Sequence, residues 1–519
     1  MGARTMIGRR SGPVPWFLTA VALVGLLLLQ PADARAAGNA DFDAIDAYVR
    51  AEMAASALPG LSYAIVREGE VAHLAAFGTA DSSGRRMTVD TPMVIGSVGK
   101  SLTALAIRQL VEAGQIDDAA PVQRYLPWFS LATPDAAAAI TIRNLLDHTS
   151  GLSKADGQRP ETYRPGLTPE EVVRGLASAS INRPVGTFEY SNLNYIALGV
   201  VVEAVSGQSY REYLQQHVFA PLGMSHSYAA QEPARRDGLA RGHRHLFGLP
   251  VAWDEPYPTA QVPAGYQIST AADMASYVAA LSNHGGYDGI DIIGATDADR
   301  DYGIDWTPVT GIPPGYAPGH SGATLTENAG LIYMPRGHLG VVVLTNANPT
   351  ELGLAGLRGA YEIAFDVLRL TLGQQPVTGS LTVRQAYLVV DAVLLLLGGL
   401  LVFEALRLRG WHARIVQAPR RRVALVASIV VDFLVPLSIL IVLPLFVSMG
   451  STPRFDVVST WAGALWTLPD IAGSLLAVSA GLLIIGLCKA CQMWSPRGRD
   501  AARATAPVRT PGASPTART

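Results

Sequence analysis

GSVGKSLTALAI, residues 96–107, sets a serine and a lysine three apart at the mouth of a run with helical spacing. Two readings open here. Ser97 caps a helix and Lys100 is a solvated charge, or the two are a nucleophile and its base. The lysine is the odder residue. Of the 40 Lys and Arg residues only Lys100, Lys154 and Lys489 are lysine. Arginine holds its proton in a protein, whereas a lysine in apolar surroundings gives its proton up more readily and can serve as a base. The i,i+3 spacing puts both side chains on one helix face. A residue at a helix start also has a backbone N–H free to stabilise an oxyanion while Oγ attacks. No other S-x-x-K occurs in the chain.

The 519 residues exceed what one core needs, so more than one folding unit is expected. A net charge of −2 offers no basic field for nucleic acid. The composition is 49% hydrophobic and 16% charged, and the apolar excess is localised. At the start, Arg9 and Arg10 precede WFLTAVALVGLLLLQ, and Ala34-Arg35-Ala36 gives a small-x-small pattern. Residues 1–36 therefore read as a signal peptide. Both cysteines, Cys488 and Cys491, lie near the C-terminus. The exported region is thus expected to hold no disulfide and no thiolate metal site.

From about residue 386 the texture changes. Segments 386–406, 423–447 and 461–487 are each apolar and long enough to span a bilayer of roughly 30 Å. Six arginines stand between the first two, and Lys489 with further arginines follows the third. One basic residue, Arg454, separates the second and third. The positive-inside rule then puts 407–422 and the tail 488–519 in the cytoplasm, and residues 37–385 outside. Signal and charge pattern agree on a multi-pass membrane protein with its large domain on the extracytoplasmic side. Asp391, Asp432 and Asp470 interrupt the apolar runs, and helix–helix polar contacts are the expected role for the latter two. The tail, rich in Pro, Ala and Thr, reads as disordered, and 373–385 as a linker.

Residues 40–372 read as one globular unit. ADFDAIDAYVRAEMAASAL (40–58) has helical spacing, and LSYAIVREGEVAHLAAFG (61–78) gives two strands. YGIDWTPV (302–309) and NAGLIYMPRGHLGVVVLTN (328–346) give three more, before a helix over 351–373. The expected fold is therefore α/β (α+β): an antiparallel sheet flanked by helices, built from both chain ends, with a helical subdomain from the middle and a cleft where they meet. GHRH (242–245) reads as a polar loop, and DADRDYGID (297–305) fails as a calcium loop because Tyr302 stands where glycine is needed. No cofactor or metal is expected.

Two further motifs follow in order. Tyr190-Ser191-Asn192 is the one Y-x-N among 18 tyrosines. A tyrosine near a lysine can relay a proton, and Asn192 can hold Lys100 and a substrate amide. His320-Ser321-Gly322 is one of three H-x-G matches, but it alone lies between two strands, as an inner strand beside a site should.

The order S-V-G-K, Y-S-N, H-S-G resembles the penicillin-recognising serine hydrolases: class C β-lactamases, D-alanyl-D-alanine carboxypeptidases and related esterases. LLDHTSGL (145–152), VFAPLGMSHS (218–227), PAGYQISTAADMASYVAALSN (263–283) and GVVVLTN (340–346) agree. The resemblance implies a β-lactamase/transpeptidase-like fold. It implies Ser97 as the acylated nucleophile, with Lys100 and Tyr190 handling its proton. Asn192 would position substrate, His320 and Gly322 would line the third motif, and the N–H groups of Ser97 and Ala323 would form the oxyanion hole. Two departures bear on substrate. His320 stands where β-lactamases of this kind usually have Lys, as in some peptidases and esterases, and GATLTENAG lacks the aromatic and glycine pattern often found there. The expected partner is a small-molecule or peptide substrate such as a D-aminoacyl peptide, a β-lactam or a small ester. The rival is a binding module that kept the pocket and signals through its helices.

Overall fold

Val, Ile and Tyr alternate along the strands so that both sheet faces carry apolar side chains, and both faces are covered. The structure is a computed structural model that describes residues 41–282, 286–287, 290–291, 307–309, 317–334, 338–352, 357–377, 381–417, 422–442 and 457–494. The leader 1–36 and the tail beyond 494 lie outside the described residues. Helix α1 (Phe42–Ala55) begins at Asp41, whose carboxylate accepts from the amides of Asp43 and Ala44. It leads into β1 (Gly60–Arg67) and β2 (Glu70–Gly78). The chain returns to this sheet only after the helical region, as β5 (Thr307–Val309), β6 (Ala317–Ala323), β7 (Asn328–Met334) and β8 (Leu339–Thr345). The strand order is β2-β1-β8-β7-β6-β5, and every pair is antiparallel.

On one face Leu61, Tyr63, Ile65, Val341 and Val343 pack with Ile45 and Val49 of α1 and Ile363 and Val367 of α5 (Ala360–Thr371). On the other, Ala64, Val66, Val342 and Leu344 join Met274, Tyr277 and Val278 of α4 (Ala271–Ser282). Burying each such Val, Leu or Ile contributes about 1.5–3 kcal/mol. The chain ends of the domain are also tied by charge. The buried guanidinium of Arg358 pairs with Glu52 and Asp366.

Between the two halves of the sheet runs the helical region. At its centre α2 (Lys100–Glu112) is buried from Lys100 to Ile107, enclosed on all sides. Helix α3 (Asn192–Ser206) packs against it and stops at Gly207, whose φ of +70° suits a glycine. GHRH is not a loop. It forms β3 (His243–Leu246), which turns through Phe247-Gly248 into β4 (Leu249–Ala252).

Three helices follow that are long and apolar enough to cross a membrane: Val383–Leu408, Val423–Ile441 and Pro469–Trp494. They are α6 (Val383–Leu408), α7 (Arg422–Leu437, continued by a wider π-type turn to Val442) and α9 (Pro469–Trp494). The stretch read as one span over 461–487 is divided: α8 (Val457–Thr467) breaks at Leu468, and α9 starts at Pro469, where proline cannot continue the preceding hydrogen-bond ladder. Helix α9 also runs past 487. It carries Lys489, counted above with the tail, into the bundle, where Nζ lies 2.6 Å from both Glu404 and Asp432 and 3.1 Å from the Ser428 hydroxyl. The domain meets the bundle through Leu357, Leu352, Leu381, Val383, Ala386, Tyr387 and Ile471.

Candidate active site

Ser97 sits in a tight 3₁₀ turn, Gly96–Gly99, and α2 begins only at Lys100. Its side chain makes no capping bond to the helix. Instead Oγ accepts two hydrogen bonds, from Lys100 Nζ at 2.9 Å and from Tyr190 OH at 2.8 Å. The cap reading of Ser97 is therefore replaced: the turn aims Oγ away from the helix start and toward Lys100 Nζ and Tyr190 OH.

Lys100 is wholly buried. Its ammonium donates to the Ala264 carbonyl at 2.5 Å and lies 4.9 Å from the Tyr190 ring and 5.7 Å from the Tyr195 ring. The segment holding Ala264 also clamps the turn 96–99. The Gln267 Nε2 lies within hydrogen-bond distance of the Gly99 carbonyl, the Thr103 hydroxyl and Tyr210 OH, at 2.8–3.1 Å. A Cβ on Gly99 would stand 2.0 Å from Gln267 Oε1, so a side chain there would have to displace the Gln267 carboxamide.

Tyr190 lies in the loop before α3. The His148 ring stacks on it at 4.5 Å, tilted by 29°. His148 is buried and in the left-handed region (φ +53°), a conformation uncommon for a non-glycine residue. Its Nδ1 accepts from the Ser191 amide at 3.1 Å and faces Asn194 Nδ2 at 2.9 Å, so the imidazole supports Tyr190 from behind. Asn192 begins α3. Its Nδ2 donates to Tyr163 OH at 3.4 Å, and burial pushes the Tyr163 phenol up to about 12. The Oδ1 of Asn192 is buried without a hydrogen-bond partner. Its bond goes to Tyr163, a residue no motif pointed to.

The third motif lies on β6, an inner strand between β5 and β7. His320 and Gly322 share one face by the strand's period of two. A Cβ at Gly322 would stand 2.1 Å from the Ile95 carbonyl oxygen and 3.2 Å from Ser97 N, so this face meets the turn that holds Ser97. From the other side, a Cβ on Gly96 (φ +55°) would stand 2.3 Å from Ala323 N. The two backbones touch because both positions are glycine, and the amides of Ser97 and Ala323 are brought together. His320 is half-buried, with Nδ1 2.6 Å from the Ser321 carbonyl oxygen.

Beyond β6 the turn residue Thr324 donates to Glu327 at 2.9 Å, and the Thr326 hydroxyl lies between the Glu327 and Glu255 carboxyls, at 2.6 and 2.8 Å. Burial, with the Glu255 charge adding to it, pushes the Glu327 carboxyl up to about 7.

A family model described as Beta-lactamase matches residues 45–364, a stretch that holds every residue of this site. Over 222 residues the chain is 31% identical to the putative penicillin-binding protein PbpX of Bacillus subtilis (strain 168), covering 42% of this chain and 48% of that protein. Over 226 residues it is 32% identical to penicillin-binding protein 4 of Amycolatopsis lactamdurans, covering 42% and 58%. The chain thus spans about half the length of the curated relatives it matches. Among solved structures, the octameric penicillin-binding protein homologue from Pyrococcus abyssi superposes with a TM-score of 0.56 at 26% identity, over 66% of this chain and 79% of that one. The D-alanine carboxypeptidase AmpC from Burkholderia cenocepacia shares the fold, with a TM-score of 0.52 at 22% identity over 64% and 98%.

Proposed function

The chain belongs to the β-lactamase family, and from that premise we propose that it is a membrane-anchored serine hydrolase working through an acyl-enzyme on amide or ester substrates such as D-aminoacyl peptides. One observation carries the reading: Ser97 Oγ receives hydrogen bonds from Lys100 Nζ and Tyr190 OH together, at 2.9 and 2.8 Å. With both groups protonated, both donate to Oγ. When one is in its basic form that bond reverses, and Ser97 gives up its proton as Oγ bonds to the substrate carbonyl carbon. The oxygen of the tetrahedral intermediate takes the N–H groups of Ser97 and Ala323. As the scissile bond breaks, the proton passes through Tyr190 to the departing amine or alcohol. A water then attacks the acyl carbon, loses its proton to the same pair, and frees the acid and Ser97.

Asn192 Oδ1, buried and unpartnered, is an acceptor in want of a donor, and a substrate N–H supplies one. The three apolar helices hold this domain on the extracytoplasmic face of a membrane, following the distribution of arginine around them. Turnover of a p-nitrophenyl ester, a D-alanyl-D-alanine peptide and a chromogenic cephalosporin by wild type and Lys100→Ala tests the reading. The expected result is turnover of at least one substrate that Lys100→Ala loses by orders of magnitude. Binding of all three without turnover would make the chain a binding module instead.

A further inference from the structure

The hairpin β3–β4 reaches from the catalytic domain to the helix bundle. Its two tip residues have positive φ, +51° at Phe247 and +72° at Gly248, the pattern of a type I′ turn. Glycine suits such a turn, whereas a bulky aromatic in this region is an outlier. The protein covers only half of that residue: Phe247 is 50% exposed, and Leu249 and Val251, on one side of β4, are 67% and 39% exposed. An apolar trio on a hairpin, with one member in an unfavourable backbone conformation, makes no sense in water.

The surroundings say what covers it. The Phe247 amide donates to the Asp470 carboxylate at 2.7 Å, and the Arg244 guanidinium donates to the Thr467 carbonyl. Tyr387 OH donates to the His245 carbonyl at 2.8 Å, and a Cβ on Gly248 would stand 2.8 Å from Tyr387 Cβ. Asp470 is the second residue of α9 and Tyr387 the fifth of α6. The tip therefore lies level with the first turns of two helices that are apolar enough to span a membrane, beside Leu388 and Val389, themselves 65% and 47% exposed. Trp466, next to Thr467, adds a half-exposed aromatic ring. Aromatic side chains at the ends of spanning helices mark the membrane–water interface.

We propose that the hairpin 243–252 is an interfacial anchor that seats Phe247, Leu249 and Val251 among the lipids of the outer leaflet. The proposal rests on reading α6, α7 and α9 as membrane spans. Lipid supplies the apolar contact that offsets the strained turn. The anchor is also rooted at the active site. The His243 amide donates to the Thr326 carbonyl at 3.2 Å and to the Asn346 carbonyl at 2.8 Å, and a Cβ on Gly242 would stand 2.4 Å from the Thr326 side chain. Thr326 lies in the turn that follows β6, so lipid seating fixes the height of the oxyanion strand above the bilayer.

The test uses the full chain in vesicles of phosphatidylcholine and phosphatidylglycerol, with Cys488→Ser and Cys491→Ser. Single cysteines placed by Leu249→Cys, Val71→Cys or Leu396→Cys carry an environment-sensitive fluorophore, and a cooperative melt verifies folding of each. The expected result is a blue-shifted label at 249, quenched severalfold more by lipids with a shallow nitroxide than the label at 71. The label at 396 should be quenched by a deep nitroxide. A quenched label at 396 with a solvent-like label at 249 overturns the anchor and leaves the membrane reading intact. A solvent-like label at 396 overturns the membrane reading, and the anchor with it.

Discussion

The carboxamide of Asn328 donates a 2.8 Å hydrogen bond to the carbonyl of Gly322, and its oxygen accepts from the Ala360 amide at 2.6 Å. In a trans peptide the carbonyl and the following N–H point in opposite directions. Asn328 therefore aims the Ala323 N–H by holding the carbonyl on its far side. Asn328→Ala is expected to lower kcat by about ten- to a hundredfold with little change in KM, less than the 10²–10³ typical for removal of an oxyanion-hole donor itself. Steady-state kinetics on a p-nitrophenyl ester separates the two constants, and a raised KM at unchanged kcat would deny Asn328 this role.

Gly96 needs both its positive φ and its missing side chain. Gly96→Ala is expected to cost about 1–3 kcal/mol from the left-handed backbone alone. Relief of the 2.3 Å approach to Ala323 N must also part the amides of Ser97 and Ala323, the proposed oxyanion hole. Thermal melts should show a lower Tm, and acylation should be lost in the protein that remains folded.

The Glu327 carboxyl has an ordinary value of 4.5 and is pushed by burial to about 7 in the folded chain. The folded chain keeps this proton over a window in which the unfolded chain has lost it. The group's contribution to stability is therefore full below about 4.5 and is lost as pH rises toward about 7. Melts across pH 4.5–7.5 should show this loss, flattened in Glu327→Gln.

Lys489 joins Glu404 on α6 to Asp432 on α7 from its place on α9. Lys489→Met leaves the buried Asp432 carboxylate without its cation, while Glu404 keeps Arg407 at 2.8 Å, and is expected to destabilise the bundle by about 3–5 kcal/mol. Replacing all three by Met, Leu and Leu should restore most of that loss. Unfolding in detergent, followed by tryptophan fluorescence, measures both variants.

The motif residues were legible because the chemistry dictates residue type and order: Ser97, Lys100 and Tyr190 converge on one oxygen, and Gly322 and Ala323 meet the nucleophile turn. Much of the antiparallel sheet was legible too, since β1, β7 and β8 are short apolar segments and β8 carries Val341-Val342-Val343. The supports were not. His148, Gln267 and Ala264 lie in phrases that carried the resemblance, but they and Asn328 act through contacts across the fold, so spacing along the chain did not give their roles. The hairpin escaped notice because its strands are four residues long and Phe-Gly is not a usual type I′ pair. Lys489 looked like a tail charge because its partners lie on two other helices, 85 and 57 residues away.

The most direct measurement is intact-mass and peptide-level mass spectrometry of the full chain after reaction with a fluorescent penicillin and, in parallel, a fluorophosphonate. The account predicts a single covalent adduct on Ser97 with at least one probe, absent in Ser97→Ala and strongly slowed in Lys100→Ala and Tyr190→Phe. Folded wild-type protein that carries no adduct on Ser97 with either probe would contradict it.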